Sequence, residues 1–319
     1  MGESKKIVIP GGSGHIGTIL SRSLVSRGHE VVVLGRGRGG AGDVRHVQWD
    51  GCALGAWAAE IDGCDAVINL AGRSVSCRYT KTNLTEMMSS RVDSARVIGE
   101  AIAKAASPPR VWLQMSTATI YAHRYDAPND EATGVIGGHE PDAPAYWRFS
   151  VDIATAWEAA QREAPTPDTR KVALRTAMVM APDRGGAFNH LSRIARLGVG
   201  GPVAGGGQYM SWIHDVDMIR AVDFLLARDD ISGPVNLAAP APLPHRDFMS
   251  AVRSEWGVPF GLPATRWMTE IGALAIGTDT ELLLKSRRVV PGRLLDAGFS
   301  FEFPHWPEAA ADLVARSRN

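Results

Sequence analysis

Cysteine, net charge and long apolar runs are all scarce in this sequence, and each absence removes a class of function. Three cysteines, Cys52, Cys64 and Cys77, stand 12 and 13 residues apart with no Cys-x-x-Cys pair. An odd count at that spacing suggests neither a disulfide framework nor a zinc site, and it fits reduced thiols in a cytoplasmic protein. The nine histidines include no His-Glu-x-x-His spacing, so no metal site is expected. Thirty-four Lys and Arg balance 34 Asp and Glu, and no basic run reaches five residues. The electrostatic footprint that nucleic-acid binding needs is therefore missing. No uninterrupted apolar run approaches the ~18 residues of a membrane span, so no membrane partner is expected. The opening apolar stretch ends at Gly11, too short for a signal-peptide core, and Lys6 stands where a myristoylation signal has Ser or Thr.

What is present is an ordinary supply of core formers: 45% hydrophobic and 21% charged residues over 319 positions, enough for one or two domains. Short apolar runs alternate with helix-period stretches. Ile7 to Ile9, Glu30 to Leu34, Val44 to Trp49, Ala66 to Leu70, Arg110 to Met115 and Val172 to Met180 read as strands. Ile16, Leu20 and Leu24 recur on one helix face, and Leu84 to Ala106, Tyr146 to Glu163 and Asp215 to Ala227 read as further helices. Strands alternating with helices imply right-handed crossovers, hence an α/β fold with a doubly wound parallel sheet covered on both faces. Residues 122–145, rich in Gly and Pro and without periodicity, read as a long loop.

Between the first strand and the first helix lies Gly11-Gly12-Ser13-Gly14-His15-Ile16-Gly17. The spacing fits a dinucleotide fingerprint. Glycine lets the chain turn off the strand, lets the backbone approach a pyrophosphate, and lets the helix pack closely on the sheet. The helix N-terminus then offers N–H groups and positive dipole to the phosphates. Gly11, Ser13, Gly14, His15, Ile16 and Gly17 are accordingly expected to hold the cofactor. About twenty residues on, where an NAD binder carries Asp or Glu, this chain reads Gly35-Arg36-Gly37-Arg38. No carboxylate repels a 2′-phosphate there, and Arg36 can grip one, which predicts NADP(H) over NAD(H).

The fingerprint, Asn69-Leu70-Ala71-Gly72 and Ser116-Thr117-Ala118-Thr119-Ile120-Tyr121 together resemble an extended short-chain dehydrogenase/reductase. The resemblance is closer to an atypical, epimerase-like branch whose members carry the sugar-nucleotide epimerase name. It rests on Ser90-Arg91, Trp157-Glu158, Leu174-Arg175-Thr176, Gly200-Gly201-Pro202, Met210 to His214, Ser232 to Asn236 and Val289-Val290-Pro291 to Gly298-Phe299. It implies a Rossmann domain over residues 1–182, its sheet completed by parts of 208–240, and a small mixed C-terminal substrate lobe over 183–319. By the same resemblance Leu70, Ala71 and Gly72 approach the cofactor, Asp65 and the strand ends shape the adenosine side, and Thr117 takes the place of the usual catalytic Ser or Thr.

The resemblance also exposes a gap. Reductases of this superfamily use a Tyr-x-x-x-Lys pair, in which the lysine lowers the tyrosine pKa and the tyrosine passes the proton. Counting back from Glu158 puts Ser150 and Ala154 in those places, and four residues after Tyr146 again stands Ser150. Neither register has the lysine. The proton is left to Tyr146, Tyr121 or the substrate itself, while Thr117 polarises a carbonyl. Tyr121 and Tyr146 have plain packing roles as alternatives, and Trp147 and Trp212 read as pocket or core. His123 reads as a loop histidine that could donate a proton, and His214-Asp215 as a His–Asp couple or, in preference, as a helix cap through Asp215. The resulting expectation is an NADP(H)-dependent oxidoreductase or epimerase for a small carbonyl or hydroxyl compound, monomeric or homodimeric. The alternatives are a non-catalytic NADP(H) sensor or partner-binding protein, and a non-redox cyclase or isomerase that retains the cofactor.

Overall fold

The apolar runs assemble into one sheet whose two faces are covered by different helices. The computed structural model of the chain describes residues 4–37, 44–141, 143–268 and 280–318. Seven strands, β1 (Lys6–Pro10), β2 (Glu30–Gly35), β3 (Arg45–Gln48), β4 (Ala66–Asn69), β5 (Val111–Thr117), β6 (Arg170–Thr176) and β10 (Gly233–Leu237), lie in the order β3-β2-β1-β4-β5-β6-β10. Every pairing in that sheet is parallel, with Ile7 beside Val31 and Ala66, and Leu113 beside Val172. The order reverses direction between β1 and β4, which opens a crevice at the carboxyl ends of those two strands.

Because side chains alternate across a strand, Ile7 and Ile9 enter one core and Val8 the other. The first core is closed by α1 (His15–Ser26) and α5 (Asp215–Ala227), through Leu20, Leu24, Met218 and Val222. The second is closed by α2 (Lys81–Lys104) and α3 (Arg148–Arg162), through Ile98, Ile102 and Trp157. A third core gathers the C-terminal elements α4 (Ala187–Arg196), α6 (His245–Glu255) and α9 (Trp306–Arg318), with Phe248 stacked on Trp306 at 3.8 Å between ring centroids. Three short strands, β8 (Tyr209–Met210), β9 (Trp212–His214) and β11 (Leu243–Pro244), border it. Two short helical segments, α7 (Glu281–Leu284) and α8 (Gly292–Asp296), precede the last helix.

Three boundaries differ from the sequence expectation, each for a local reason. The run from Val172 to Met180 is two strands: Ala177 donates to Leu237 O, and β7 (Met178–Met180) then leaves the sheet to pair with β9. The long helix starts at Lys81, before Leu84, because Thr80 caps it by accepting from Asn83 N at 3.2 Å. The aperiodic stretch 122–145 is pinned to the C-terminal segment, with buried Asn129 exchanging backbone hydrogen bonds with Arg288 and Val290. Among the described residues no helix is long and apolar enough to cross a membrane.

Candidate active site

The glycine loop departs from β1 into the switch-point crevice. Gly11 has φ of +75°, a conformation L side chains rarely adopt, and its N–H donates to Leu34 O at 2.8 Å. A Cβ at Gly11 would lie 2.7 Å from the Cα of Ala71, so loop and β4 end touch backbone to backbone. Gly14 differs: it is exposed, and a Cβ there would meet only Gly11 O, at 3.5 Å. It opens α1 with no side-chain cap and no carboxylate in the first turn. The helix dipole therefore faces open space, and the residues fit a dinucleotide pyrophosphate. Ser13 is exposed on the same turn beside Gly35, and exposed Arg36 follows at the end of β2. Arg38 lies outside the described residues. Ile16 packs on the first core, and the His15 ring packs against Gly186, the residue before α4.

Beyond Leu70 and Gly72 the crevice deepens into a cavity of about 290 Å³ over the carboxyl ends of β4, β5 and β6. Thr117 lines it, half-buried, at the end of β5. Its Oγ1 accepts from Thr119 N at 3.1 Å, which leaves its own O–H to point elsewhere. Arg91 lies under Gly72, donates to the carbonyls of Met87 and Arg73, and stacks over Trp157 at 5.1 Å. Burial pushes its pKa down to about 10. Behind the cavity Glu158 accepts two bonds from Arg175 at 2.9 and 2.8 Å and one from Ser116 at 2.6 Å, a closed structural network.

The places of the expected tyrosine and lysine are filled in distinct ways. Ser150, in the first turn of α3, lines the cavity. Ala154, one turn on, is 0% exposed and belongs to a buried cluster with Ala118, Ile120, Tyr121, Val151 and Val289, so its surroundings are apolar. Tyr121 is not on the cavity wall. It is buried, donates to Asn236 Oδ1 at 2.9 Å and accepts from Arg175 at 2.9 Å, and burial raises its pKa. Tyr146 is exposed, with its hydroxyl 3.1 Å from Thr280 Oγ1, also off the wall. Of the three hydroxyl candidates the structure brings only Thr117 to the cavity.

Sequence reasoning missed the C-terminal contribution. Glu281 and Arg287, both buried, line the cavity opposite Thr117's strand, and Tyr79 lines it from the segment before α2. Glu281 Oε2 accepts from Ser150 Oγ at 2.5 Å and from Tyr79 OH at 3.2 Å. Lys285 Nζ lies 3.6 Å from Glu281 Oε1 and donates to Thr119 O at 2.9 Å; burial pushes its pKa down to about 8, with Glu281 opposing. Arg287 Nε donates to Thr119 Oγ1 at 3.0 Å. The one available signal was Glu281-Leu282-Leu283-Leu284-Lys285, where opposite charges four apart bracket a leucine run.

Three other assignments are corrected. Asp65 sits at the amino end of β4, where it accepts from Lys6 N at 2.7 Å, at the opposite end of the strands from the crevice. The cap of α5 is His214, whose Nδ1 accepts from Val216 N at 3.2 Å, while Asp215 pairs with Arg316. His123 is not merely exposed: its Nδ1 accepts from Ser286 N at 2.7 Å. Trp147 and Trp212, by contrast, pack as core residues: both are buried and off the cavity wall.

Comparison with known proteins agrees with this layout. Residues 7–238 match the model of the NAD dependent epimerase/dehydratase family, and residues 266–313 match a domain of unknown function, DUF1731. The epimerase family protein SDR39U1 of Homo sapiens is 30% identical over 314 residues, spanning 97% of this chain and 100% of that protein. The epimerase family protein Mb2239 of Mycobacterium bovis is 29% identical over 313 residues, spanning 97% and 98% of the two chains. The crystal structure of human SDR39U1 (isoform2) with NADPH has a TM-score of 0.84 at 29% identity, covering 97% of this chain and 99% of that one. A nucleoside-diphosphate sugar epimerase from Corynebacterium glutamicum shares the fold, with a TM-score of 0.76 at 23% identity over 98% of this chain and 59% of that one.

Proposed function

The chain belongs to the NAD dependent epimerase/dehydratase family, and from that premise we propose that it is an NADP(H)-dependent oxidoreductase or epimerase acting on a small carbonyl or hydroxyl compound. The observation that carries the reading is juxtaposition: the glycine loop, whose helix N-terminus at Gly14 is uncapped, touches Ala71, and Leu70 and Gly72 on either side of Ala71 line a cavity of about 290 Å³ that Thr117 also lines. Gly11 to Gly17 would hold the pyrophosphate, with Ser13 on the exposed side of the turn, and Arg36 would hold a 2′-phosphate. Ala71 and Gly72 present backbone to the cofactor where side chains would intrude. Bound there, the nicotinamide supplies or accepts a hydride at the cavity. The Thr117 O–H donates to the substrate oxygen as charge develops on it. Residues 183–319 act as the substrate side, since Glu281 and Arg287 close the cavity from that part of the chain. The relative solved with NADPH supports the choice of NADP(H).

A non-catalytic NADP(H) sensor is the second reading, and the buried, apolar surroundings of Ala154 favour it. A cavity with this many polar groups on its wall argues the other way. Dissociation constants for NADPH and NADH, followed by NADPH consumption with a panel of small aldehydes and ketones, test both readings. NADPH binding at least tenfold tighter than NADH binding, reduced by Arg36→Ala, with steady consumption, is the expected result. Tighter NADH binding removes the Arg36 assignment. Tight NADPH binding without turnover of any compound leaves the sensor.

A further inference from the structure

The apolar site of Ala154 leaves the proton without the lysine that should govern it, and the groups facing Ser150 come from the other end of the chain. We propose that Ser150 and Glu281 form the proton-transfer couple of this cavity, the C-terminal segment supplying what α3 lacks. The inference rests on the oxidoreductase reading above and adds its acid–base machinery.

The geometry is that of a hydroxyl backed by a carboxylate. Ser150 Oγ donates to Glu281 Oε2 at 2.5 Å across 131 residues of chain, and both line the cavity. The contact is held in register by a second bond one turn earlier, Tyr146 OH to Thr280 Oγ1 at 3.1 Å. Glu281 is 0% exposed. A buried carboxylate is costly unless charge and hydrogen bonds compensate it, and besides Ser150 two parts of the chain supply that compensation. Tyr79, ahead of α2, donates to the same oxygen at 3.2 Å, and Lys285 places an ammonium 3.6 Å from the other. Lys285 is itself fixed on Thr119 O, two residues after Thr117. Arg287 adds positive charge from the same segment, and Glu140, from the long loop, faces Lys285. The ammonium thus stands behind the carboxylate, as the absent lysine would have stood behind a tyrosine.

In the oxidative direction the substrate O–H bond breaks, and its electron pair becomes the C=O π bond as the carbon's hydride passes to the oxidised nicotinamide. The proton goes to Ser150 Oγ while the Ser150 proton passes to Glu281 Oε2. Once the product has left, the relay runs back: Glu281 returns the proton to Ser150 Oγ, and the half-buried Ser150 passes its own proton to water in the cavity. Reduction runs each transfer backwards, so atoms and charge balance in both directions. Ser150 is the catalytic residue, and Glu281 is a positioning residue that acts through it.

Wild type, S150A, E281Q, E281D and the S150A/E281Q double variant test this in two ways. Turnover with the carbonyl panel should fall about 100-fold in S150A and in E281Q, within the ordinary range for one acid–base group. The double variant should be no slower than the worse single one, because the two act as a unit. E281D should recover part of the loss, the pH dependence of kcat should flatten in E281Q, and NADPH dissociation constants should stay within about twofold. The second readout needs no turnover. In 13C-carboxyl-labelled protein loaded with NADP+, the glutamate resonance absent from E281Q should move when trifluoroethanol, an alcohol that resists oxidation, is added. In S150A it should not move. An active wild type whose E281Q variant keeps its rate and pH profile, or losses that add in the double variant, overturns the couple and leaves the functional reading standing. An immobile wild-type resonance overturns the couple as well. A wild type that binds NADPH and turns over nothing overturns the functional reading and, with it, the couple's catalytic role.

Discussion

Gly17 packs onto Gly12 with no space between them: a Cβ at Gly17 would lie 2.4 Å from both the Cα and the carbonyl oxygen of Gly12. Gly14, between them, meets only its own loop. One fingerprint thus contains a glycine required by the packing of the fold and another that the packing does not require. Gly17→Ala should destabilise the protein by about 3 kcal/mol, because backbone atoms must move to admit the methyl group. Gly14→Ala should cost only about 1 kcal/mol, the difference between Gly and Ala at an N-cap, yet weaken NADPH binding roughly tenfold or more by placing a methyl where phosphate must sit. Thermal melts and NADPH titrations of the two variants check the split. Equal stability losses, or unchanged NADPH affinity in Gly14→Ala, would contradict it.

The hydroxyl of Thr117, on the cavity wall, accepts from Thr119 N, a bond that does not use its own proton. Thr117→Val removes both functions. A donor aimed at developing negative charge contributes on the order of 100-fold or more in rate, so kcat should fall by about that factor while KM changes little. Thr117→Ser keeps the oxygen and should retain most of the rate. Unchanged turnover in Thr117→Val would remove Thr117 from the chemistry.

Much of this was legible from local pattern. Ile7-Val8-Ile9 and Ala66-Val67-Ile68 are continuous apolar runs because both sheet faces are covered, and the glycine loop sits between a strand and an amphipathic helix, where its spacing has meaning. The start of α2 at Lys81 was not legible, since its first turn is exposed and polar and has no apolar period to detect. Nor was the split at Ala177, because β6 and β7 are both buried and read as one run. The C-terminal wall of the cavity was hidden for another reason. Ser150 and Glu281 meet only through tertiary folding, and no spacing rule links a serine on one helix to a glutamate 131 residues later.

Ala154 is one of the two places, with Ser150, where the resemblance to reductases leads one to expect a lysine, and its surroundings are apolar. The residue is 0% exposed among apolar neighbours. Ala154→Lys would bury an unpaired ammonium and overfill the cluster, so it should destabilise the protein by about 3 kcal/mol or more and fail to raise turnover. Urea denaturation checks the first point and NADPH consumption the second. A stable, faster variant would mean that the site is open to the cavity after all.

His245 gives the fold a defined sensitivity to acid. It is 2% exposed at the start of α6, and among the described residues its Nδ1 has no hydrogen-bond partner. Burial, helped by the charge of Arg253, pushes its pKa down to about 4 from the ordinary 6.5. Between those two values the unfolded chain binds a proton that the native chain does not, so stability rises with pH through the window and is lost as pH falls from 6.5 toward 4. The full effect is about 3 kcal/mol, from roughly 1.4 kcal/mol for each pKa unit. Buried His214, whose pKa burial also lowers, adds to the same slope. His245→Leu keeps an apolar side chain in the site and removes the titration there. Its unfolding free energy should therefore fall less than that of wild type between pH 7 and pH 4.5, and the gap between the two curves should widen as the pH drops. Urea unfolding across that range measures it directly, and parallel curves would show that His245 is not the group responsible.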